Sequence, residues 1–414
     1  MANRPVVSVV RCDAQASDSV VEQKLLAAAA LMGGLAEMFR GKKKVYIKPN
    51  LGIDDVRYHA GRQVALADPS VIRATVALIR RYYDGELILG DASTGMPCRK
   101  VFDAVGLDRQ LAGFDVRQIE LNEGTFVDFD VPGTPALLSR YKFSDELRGV
   151  DAVVSIAKLK SHLSAGATVC LKNLFGMSPC PVYGTPRRYL HAPIRLPRAL
   201  VDIGAIFPPV LNVVDGLVAQ DGKEWHGRPV QTNVLMIGNN VVATDATAIR
   251  LMGNDPAADY GTAPFLFDAN PLPLAQAHGL GPIDAAEIDV RGDDVSDLGH
   301  HFAVDRTWST ELDNARTDVA VQMATYLRER DELLRRAEGK FAVLADGNVL
   351  DVLETVDALP RRAEVAAKVG RENAGILVKQ VVPADEEIER LDVYARIARG
   401  WRQQEEHSSC RQTI

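Results

Sequence analysis

Apolar runs alternating with stretches of helical periodicity predict an α/β protein, with a largely parallel sheet and flanking helices in one or two lobes. Three observations carry that expectation. Short apolar runs recur at Val6 to Val10, Lys44 to Lys48, Glu86 to Gly90 and Asp151 to Ala157. Helical spacing fills Val20 to Phe39 and Pro69 to Tyr83 between them, the second opening on a proline suited to a first turn. A terminal stretch carries its own β-β-α-β pattern, with Asp346-Gly-Asn348 as a hairpin turn between two apolar runs.

Taken in order, residues about 113–145 lose helical periodicity and predict a β-rich insertion. A loop rich in Pro, Arg and Tyr spans Pro179 to Pro197, followed by a helix near Ala199 to Ile206. Strands are expected at Val210 to Val214 and Asn233 to Ile237. Thr244 to Met252 predicts a helix capped by Thr244 or Asp245 and ended by Gly253. Residues 1–305 thus form the expected α/β body, 306–338 a linking helix, 339–398 the small module and 399–414 a polar tail.

The chain has 414 residues, 47% of them hydrophobic, enough for a sizeable core. Its net charge of -7 argues against nucleic acid or an anionic membrane surface as a bulk partner, so any positive site must be local. Five cysteines, Cys12, Cys98, Cys170, Cys180 and Cys410, form no C-x-x-C pair; no cofactor is identifiable and no intrinsic iron–sulfur cluster is expected. The opening residues predict a strand rather than a targeting segment, and a soluble cytoplasmic protein is the expectation.

One block concentrates chemistry. Lys158 to Gly176 holds Lys158, Lys160, His162, Lys172 and Asn173 directly after the run Asp151 to Ala157. Carboxyl ends of parallel strands gather at one edge of a sheet, where ligands bind. Three other segments should reach the same edge: Lys48-Pro-Asn50, the turn Gly90 to Gly95 with Asp91 and Ser93, and Asn212 to Gly216 with Asp215. Lys158 and Lys160 share a face if the strand continues, and Arg187 and Arg188 lie in the Pro-rich loop. Lysines hold a carboxylate or phosphate, and histidine moves protons near neutral pH. The Gly90 to Gly95 composition equally makes an ordinary capped turn.

The ordered landmarks Ile47-Lys-Pro-Asn50, Gly90-Asp-Ala-Ser93, Lys158 to Gly176, Asn212-Val-Val-Asp-Gly216 and Ala243-Thr-Asp-Ala-Thr-Ala248 with Met252-Gly253 resemble the family called domain of unknown function 362, over about residues 5–290. Residues 339–398 resemble domain of unknown function 5678. Many relatives of the larger segment carry ferredoxin-like cysteine clusters, which this chain lacks. They also tend to read Gly-x-Gly-Pro where this chain has Gly222-Lys-Glu-Trp-His-Gly227. The resemblance implies where a site lies more than what it does.

The expected function is an enzyme, a lyase or isomerase, acting on a small anionic metabolite by proton transfer. His162, Lys160 and Lys172 would be catalytic; Lys48, Asn50, Asp91, Ser93, Lys158, Asn173, Arg187 and Arg188 would bind substrate. One alternative is a metal-dependent hydrolase or redox enzyme, with a divalent metal on His162, His226 and Asp215. The other is a binding or assembly protein that meets a protein partner, or its own copy, through the C-terminal module.

Overall fold

The computed structural model describes residues 4–191, 195–295, 298–305, 310–356, 362–371, 375–385 and 387; the expected polar tail lies outside them. Nine strands form the main sheet: β1 (Val6–Arg11), β2 (Lys44–Pro49), β3 (Glu86–Asp91), β4 (Arg117–Glu120), β5 (Ala152–His162), β6 (Gly166–Thr168), β7 (Pro209–Asp221), β8 (Arg228–Gly238) and β9 (Asp289–Gly292). Their order is β9-β1-β8-β7-β5-β2-β3-β4, with β6 hairpinned onto β5. The largely parallel sheet is present: β9/β1, β7/β5, β5/β2, β2/β3 and β3/β4 run parallel, whereas β1/β8, β8/β7 and β5/β6 are antiparallel.

Alternating residues of the central strands enter two different cores. Val45, Ile47, Leu87, Leu89, Val154 and Ile156 pack on one side with helices α1 (Asp18–Met32) and α2 (Pro69–Arg80). Tyr46, Ile88, Val153 and Ala157 pack on the other with α3 (Cys170–Leu174), α4 (Arg195–Ile206) and α5 (Val241–Leu251). Both faces are covered, which is why these strands read as unbroken apolar runs. Among the described residues no helix is long and apolar enough to cross a membrane.

Several boundaries depart from the sequence reading for physical reasons. The helix expected over Val20 to Phe39 stops at Met32, because Gly33 and Gly34 both take positive φ (73° and 74°) and break it. Val210 to Val214 lies in the first half of the 13-residue strand β7, and Asn233 to Ile237 lies in the second half of its 11-residue antiparallel partner β8. The loop expected at 179–197 contains a short helix, Cys180–Tyr183, and α4 already begins at Arg195. Helix α5 starts at Val241 and is capped by Asn240, whose side chain accepts from Ala243 N, rather than by Thr244 or Asp245.

The β-rich insertion is a two-stranded antiparallel ribbon, Phe126–Asp130 with Arg140–Ser144. After the body, helix α6 (Thr310–Ala337) lies on a three-stranded sheet of β10 (Phe341–Ala345), β11 (Asn348–Leu353) and β12 (Ile376–Gln380), with α7 (Arg362–Val369) between β11 and β12. Val319, Met323, Tyr326 and Leu333 of α6 cover one sheet face through Ala342, Leu344 and Leu377. Phe341, Val343, Ala345, Ile376 and Val378 on the other face join the core of the body.

The strand order fixes where a site can form. The chain runs β2 to β3 to β4 in one direction, then returns to place β5 on the opposite side of β2. That reversal makes the carboxyl ends of β2 and β5 the switch point of the sheet, where a crevice opens between diverging connections. Lys48 to Asn50 leave one of those ends, and Lys158 to His162 form the other.

Candidate functional site

At the end of β2, Lys48 Nζ lies 2.7 Å from Asp91 Oδ2 at the end of β3, with both side chains buried. The remaining acceptor capacity of Asp91 is met by Leu51 N at 3.0 Å and Ala92 N at 2.8 Å. Burial lowers the Lys48 pKa and Asp91 opposes that shift. Asn173 ties the switch point together: its Nδ2 donates to Lys48 O, Ser155 Oγ and Ile156 O, and its Oδ1 accepts from Asn50 Nδ2 at 3.0 Å. Lys48, Asp91 and Asn173 are thus brought together, but as a mutually satisfied frame.

Gly176 is the close neighbour of this frame. A Cβ there would stand 2.6 Å from Asp91 Oδ1 and 2.7 Å from Lys48 Nζ. Gly176→Ala is therefore expected to force the ion pair apart and cost roughly 1–3 kcal/mol by overpacking. Urea denaturation against wild type checks this, and an unchanged midpoint would show that the frame yields freely.

Lys158 is also spent internally. Its Nζ is 2.8 Å from Asp215 Oδ2, both side chains are fully buried, and Asp215 also accepts from Asp68 N at 2.7 Å and Leu217 N at 3.2 Å. The β5/β7 register sets Asp215 directly opposite Lys158. Asp215, expected at a strand end, sits inside β7.

Beyond these pairs the site becomes electrically unbalanced. Lys160 Nζ donates to Ala65 O at 2.8 Å and Glu224 O at 3.2 Å, and lies 4.2 Å from the centre of the Trp225 ring. Burial pushes Lys160 down to about 7, with Glu224 resisting and Lys172 reinforcing the shift. Lys172 differs in kind: among the described residues its ammonium has no hydrogen-bond acceptor, only the Phe175 ring 4.8 Å away. Burial pushes it to about 7 as well; Glu224 resists, and the positive charges of Arg187 and Lys48 reinforce the fall.

His162 Nδ1 accepts from both Ser164 N and Ala165 N at 3.1 Å, which assigns its ring proton to Nε2. That Nε2 is 3.9 Å from Glu224 Oε1. Burial, then Lys172 and Lys160, hold the His162 pKa well below its ordinary value, so the ring is neutral at pH 7. This suits a hydrogen-bond donor better than the proton carrier the sequence suggested. His191, edge-on to Phe175 at 4.7 Å, is pushed by burial and by Lys172 to about 3. Lys160, Lys172 and His162 therefore bear on one carboxylate, Glu224, whose Oε2 accepts from Leu163 N at 2.9 Å.

The remaining candidates hold structure. Arg187 donates to Ser178 O at 2.8 Å, Thr94 Oγ1 at 2.8 Å and Ala92 O, clamping the Gly90 to Gly95 turn to the end of the cationic block. Ser93 Oγ donates to Leu51 O at 2.9 Å. Arg188 is half-buried beside this clamp. The three metal candidates diverge: His226 is exposed and 3.3 Å from Asp55, Asp215 faces Lys158, and His162 faces Glu224. Among the described residues no three His, Cys, Asp or Glu side chains gather as a metal-holding group.

Sequence reasoning left out the loop residues Glu224 and Trp225 as site members, and gave Asp245 to its own helix as a cap rather than to α3. Asp245 accepts from Cys170 N at 2.8 Å and Leu171 N at 2.9 Å, pinning the start of α3 and so aiming Lys172 and Asn173; burial raises its pKa to about 7. The available signal was the polar cluster Glu224-Trp225-His226 in a glycine-flanked loop. A separate cavity of about 420 Å³ between Pro132 and His278 is lined by none of these residues. Its one carboxylate, Asp202, accepts from Ala136 N, Leu137 N, Leu138 N and Tyr141 Oη, and burial raises its pKa to about 6.

With that geometry in place, the comparisons with known proteins become informative. Residues 45–250 match the family model described as Domain of unknown function (DUF362). Every side chain of the Lys160–Lys172–Glu224 cluster and its frame falls inside the residues matched by that model. Over 233 residues the chain is 27% identical to the thylakoid-associated protein sll1697 of Synechocystis sp., an alignment covering 55% of this chain and 68% of that protein. A crystal structure of a Thermotoga maritima protein aligns at 15% identity and a TM-score of 0.29, covering 52% of this chain and 54% of that one. The aligned part is thus about half the length of that solved chain.

Proposed function

We propose that the DUF362 segment is an enzyme site for a small carboxylate or phosphate, with Lys160 as the fixed cation and Lys172 as the group that gives or takes a proton. The observation that carries this reading is the contrast among the four lysines. Lys48 and Lys158 face buried carboxylates and Lys160 faces two carbonyl oxygens and an indole ring, but among the described residues Lys172 has no hydrogen-bond acceptor. A largely desolvated amine near 7 can act as acid or base at neutral pH, and a neighbouring cation stabilises the enolate formed when a proton leaves carbon next to a carboxylate. His162 Nε2–H and Leu163 N–H, both now directed at Glu224, are further donors toward an incoming anion. Isomerisation or elimination is the reaction class these groups fit.

The test needs no knowledge of the full reaction. A panel of small 2-oxo and 2-hydroxy acids is incubated with the protein in deuterium oxide, and loss of C–H signal is followed by proton NMR. Wild type should exchange at least one of them, and Lys172→Met should slow that exchange by roughly 10²–10⁴-fold. If no compound exchanges and none raises the melting temperature, the reading fails.

A cytoplasmic location remains the reading of composition; the Synechocystis relative is named thylakoid-associated. The kinship of 339–398 to domain of unknown function 5678 likewise stands as a proposal. Both faces of the module's sheet are already covered, by α6 and by the body, which favours an enzyme over an assembly role for the module.

A further inference from the structure

We propose that Lys172 is a nucleophilic amine that forms an imine with small carbonyl compounds also bearing a carboxylate. This rests on the enzymatic reading above and narrows its substrates to 2-oxo acids and their kin.

The choice between Lys160 and Lys172 follows from what surrounds each nitrogen. On Lys160, Ala65 O and Glu224 O accept two N–H bonds and the face of Trp225 lies beneath the third direction. All three favour the ammonium, so the proton is held on Lys160 and its lone pair is not exposed. Lys172 has neither carbonyl nor carboxylate within hydrogen-bond reach among the described residues, and Arg187 and Lys48 oppose its positive charge. Desolvation beside other cations is the arrangement that keeps a lysine nucleophilic at neutral pH. The residue is not sealed off: Lys172 is partly exposed, whereas Lys160 is 1% exposed. α3, which carries Lys172, is held at its start by Asp245 and at Asn173 by the β2 and β5 ends, so the amine is fixed in place.

The chemistry balances without a further reactant. The Lys172 lone pair adds to the carbonyl carbon as the C=O π pair moves to oxygen. The two amine hydrogens then leave with that oxygen as water, and a C=N bond remains. Protonation of the imine nitrogen turns the group into an electron sink for a C–H bond on the adjacent carbon. The carboxylate of the same molecule would lie against Lys160, in the region Glu224 now occupies.

The experiment traps the imine. The full-length protein is incubated at pH 7.5 with pyruvate or glyoxylate and sodium cyanoborohydride, whose hydride adds to the imine carbon to leave a stable secondary amine, and peptides are read by mass spectrometry. At that pH an exposed lysine is neutral on the order of 0.1% of the time, and a group near 7 more than half of the time. The adduct should therefore accumulate on Lys172 roughly 10²–10³-fold faster than on exposed Lys100. Lys172→Arg, which keeps the charge, should lose the fast adduct and keep the melting temperature. Labelling of Lys172 no faster than Lys100, or an adduct on Lys160 in its place, overturns the imine. If labelling fails but Lys172-dependent deuterium exchange persists, Lys172 is a proton carrier only and the proposed function survives. If both fail, both fall.

Discussion

Replacing Lys158 by methionine should cost the protein roughly 3–5 kcal/mol, the largest single effect on stability expected from any site residue. The reason is the charge left behind. Asp215 has no exposed surface, and without Lys158 its carboxylate keeps only the Asp68 and Leu217 N–H groups. Two amide donors do not replace an ammonium for a fully desolvated anion, so the carboxyl must take up a proton or the strands must part. The double variant Lys158→Met, Asp215→Asn removes both charges while Asn Oδ1 can still accept from Asp68 N, and should regain most of the loss. Urea denaturation of the two variants reads this directly. A single variant within about 1 kcal/mol of wild type that nevertheless loses anion binding would make Lys158 a ligand group rather than a strut.

That distinction marks what the sequence could and could not convey. The spacing of Lys158 and Lys160, two apart after an apolar run, correctly placed both on one face of a continuing strand. Nothing in the spacing tells that Asp215, 57 positions away, stands opposite the first and not the second, since that follows from the β5/β7 register and the irregularity that shifts it between Asp215 and Gln220. The strand expected at Val210 to Val214 was to close at Gly216. Here that glycine marks close strand approach, since a Cβ would come within 2.7 Å of Val234, and β7 runs on for five more residues. Asp245 was seen as a cap-forming residue, and it is one, but for α3 rather than its own helix. Cap chemistry is legible from residue type; the helix it serves is a tertiary fact.

The same limit applies to the switch point. Local pattern located the ends of β2 and β3 to within a residue, set the end of β5 at Ala157 where the strand in fact runs on through the lysines to His162, and argued that the three share an edge. Only the strand order shows that β5 lies beside β2, away from β3 and β4, and so puts Asn173 in reach of both Lys48 O and Ile156 O. The contrast that the proposal rests on, one lysine of the four without a hydrogen-bond acceptor among the described residues, is a property of side-chain environment that residue identity cannot carry.

Binding of a small anion such as pyruvate should weaken about tenfold for each pH unit above 7, and Lys172 alone should set that slope. The sign follows from proton uptake. Lys172 has a free-site pKa lowered to about 7, so below that pH the amine is already charged and affinity is at its maximum. Above it the free amine is neutral, while a bound anion favours the charged form, so binding must draw one proton from solvent. Each such proton makes the binding constant fall by up to tenfold per pH unit until the bound-state pKa is reached. Lys160 is also lowered to about 7 by burial, and if it titrated too the fall would approach a hundredfold per unit. The carbonyl oxygens of Ala65 and Glu224 and the Trp225 ring oppose that loss of charge, so a slope near one is expected. Calorimetry between pH 6 and 9 measures it, and repeating it in buffers of different ionisation enthalpy counts the protons. Lys172→Met should bind more weakly at pH 6 and show little pH dependence thereafter. A slope near two would transfer titration to both lysines and weaken the case for Lys160 as the fixed cation, and a flat wild-type profile would remove Lys172 from the site.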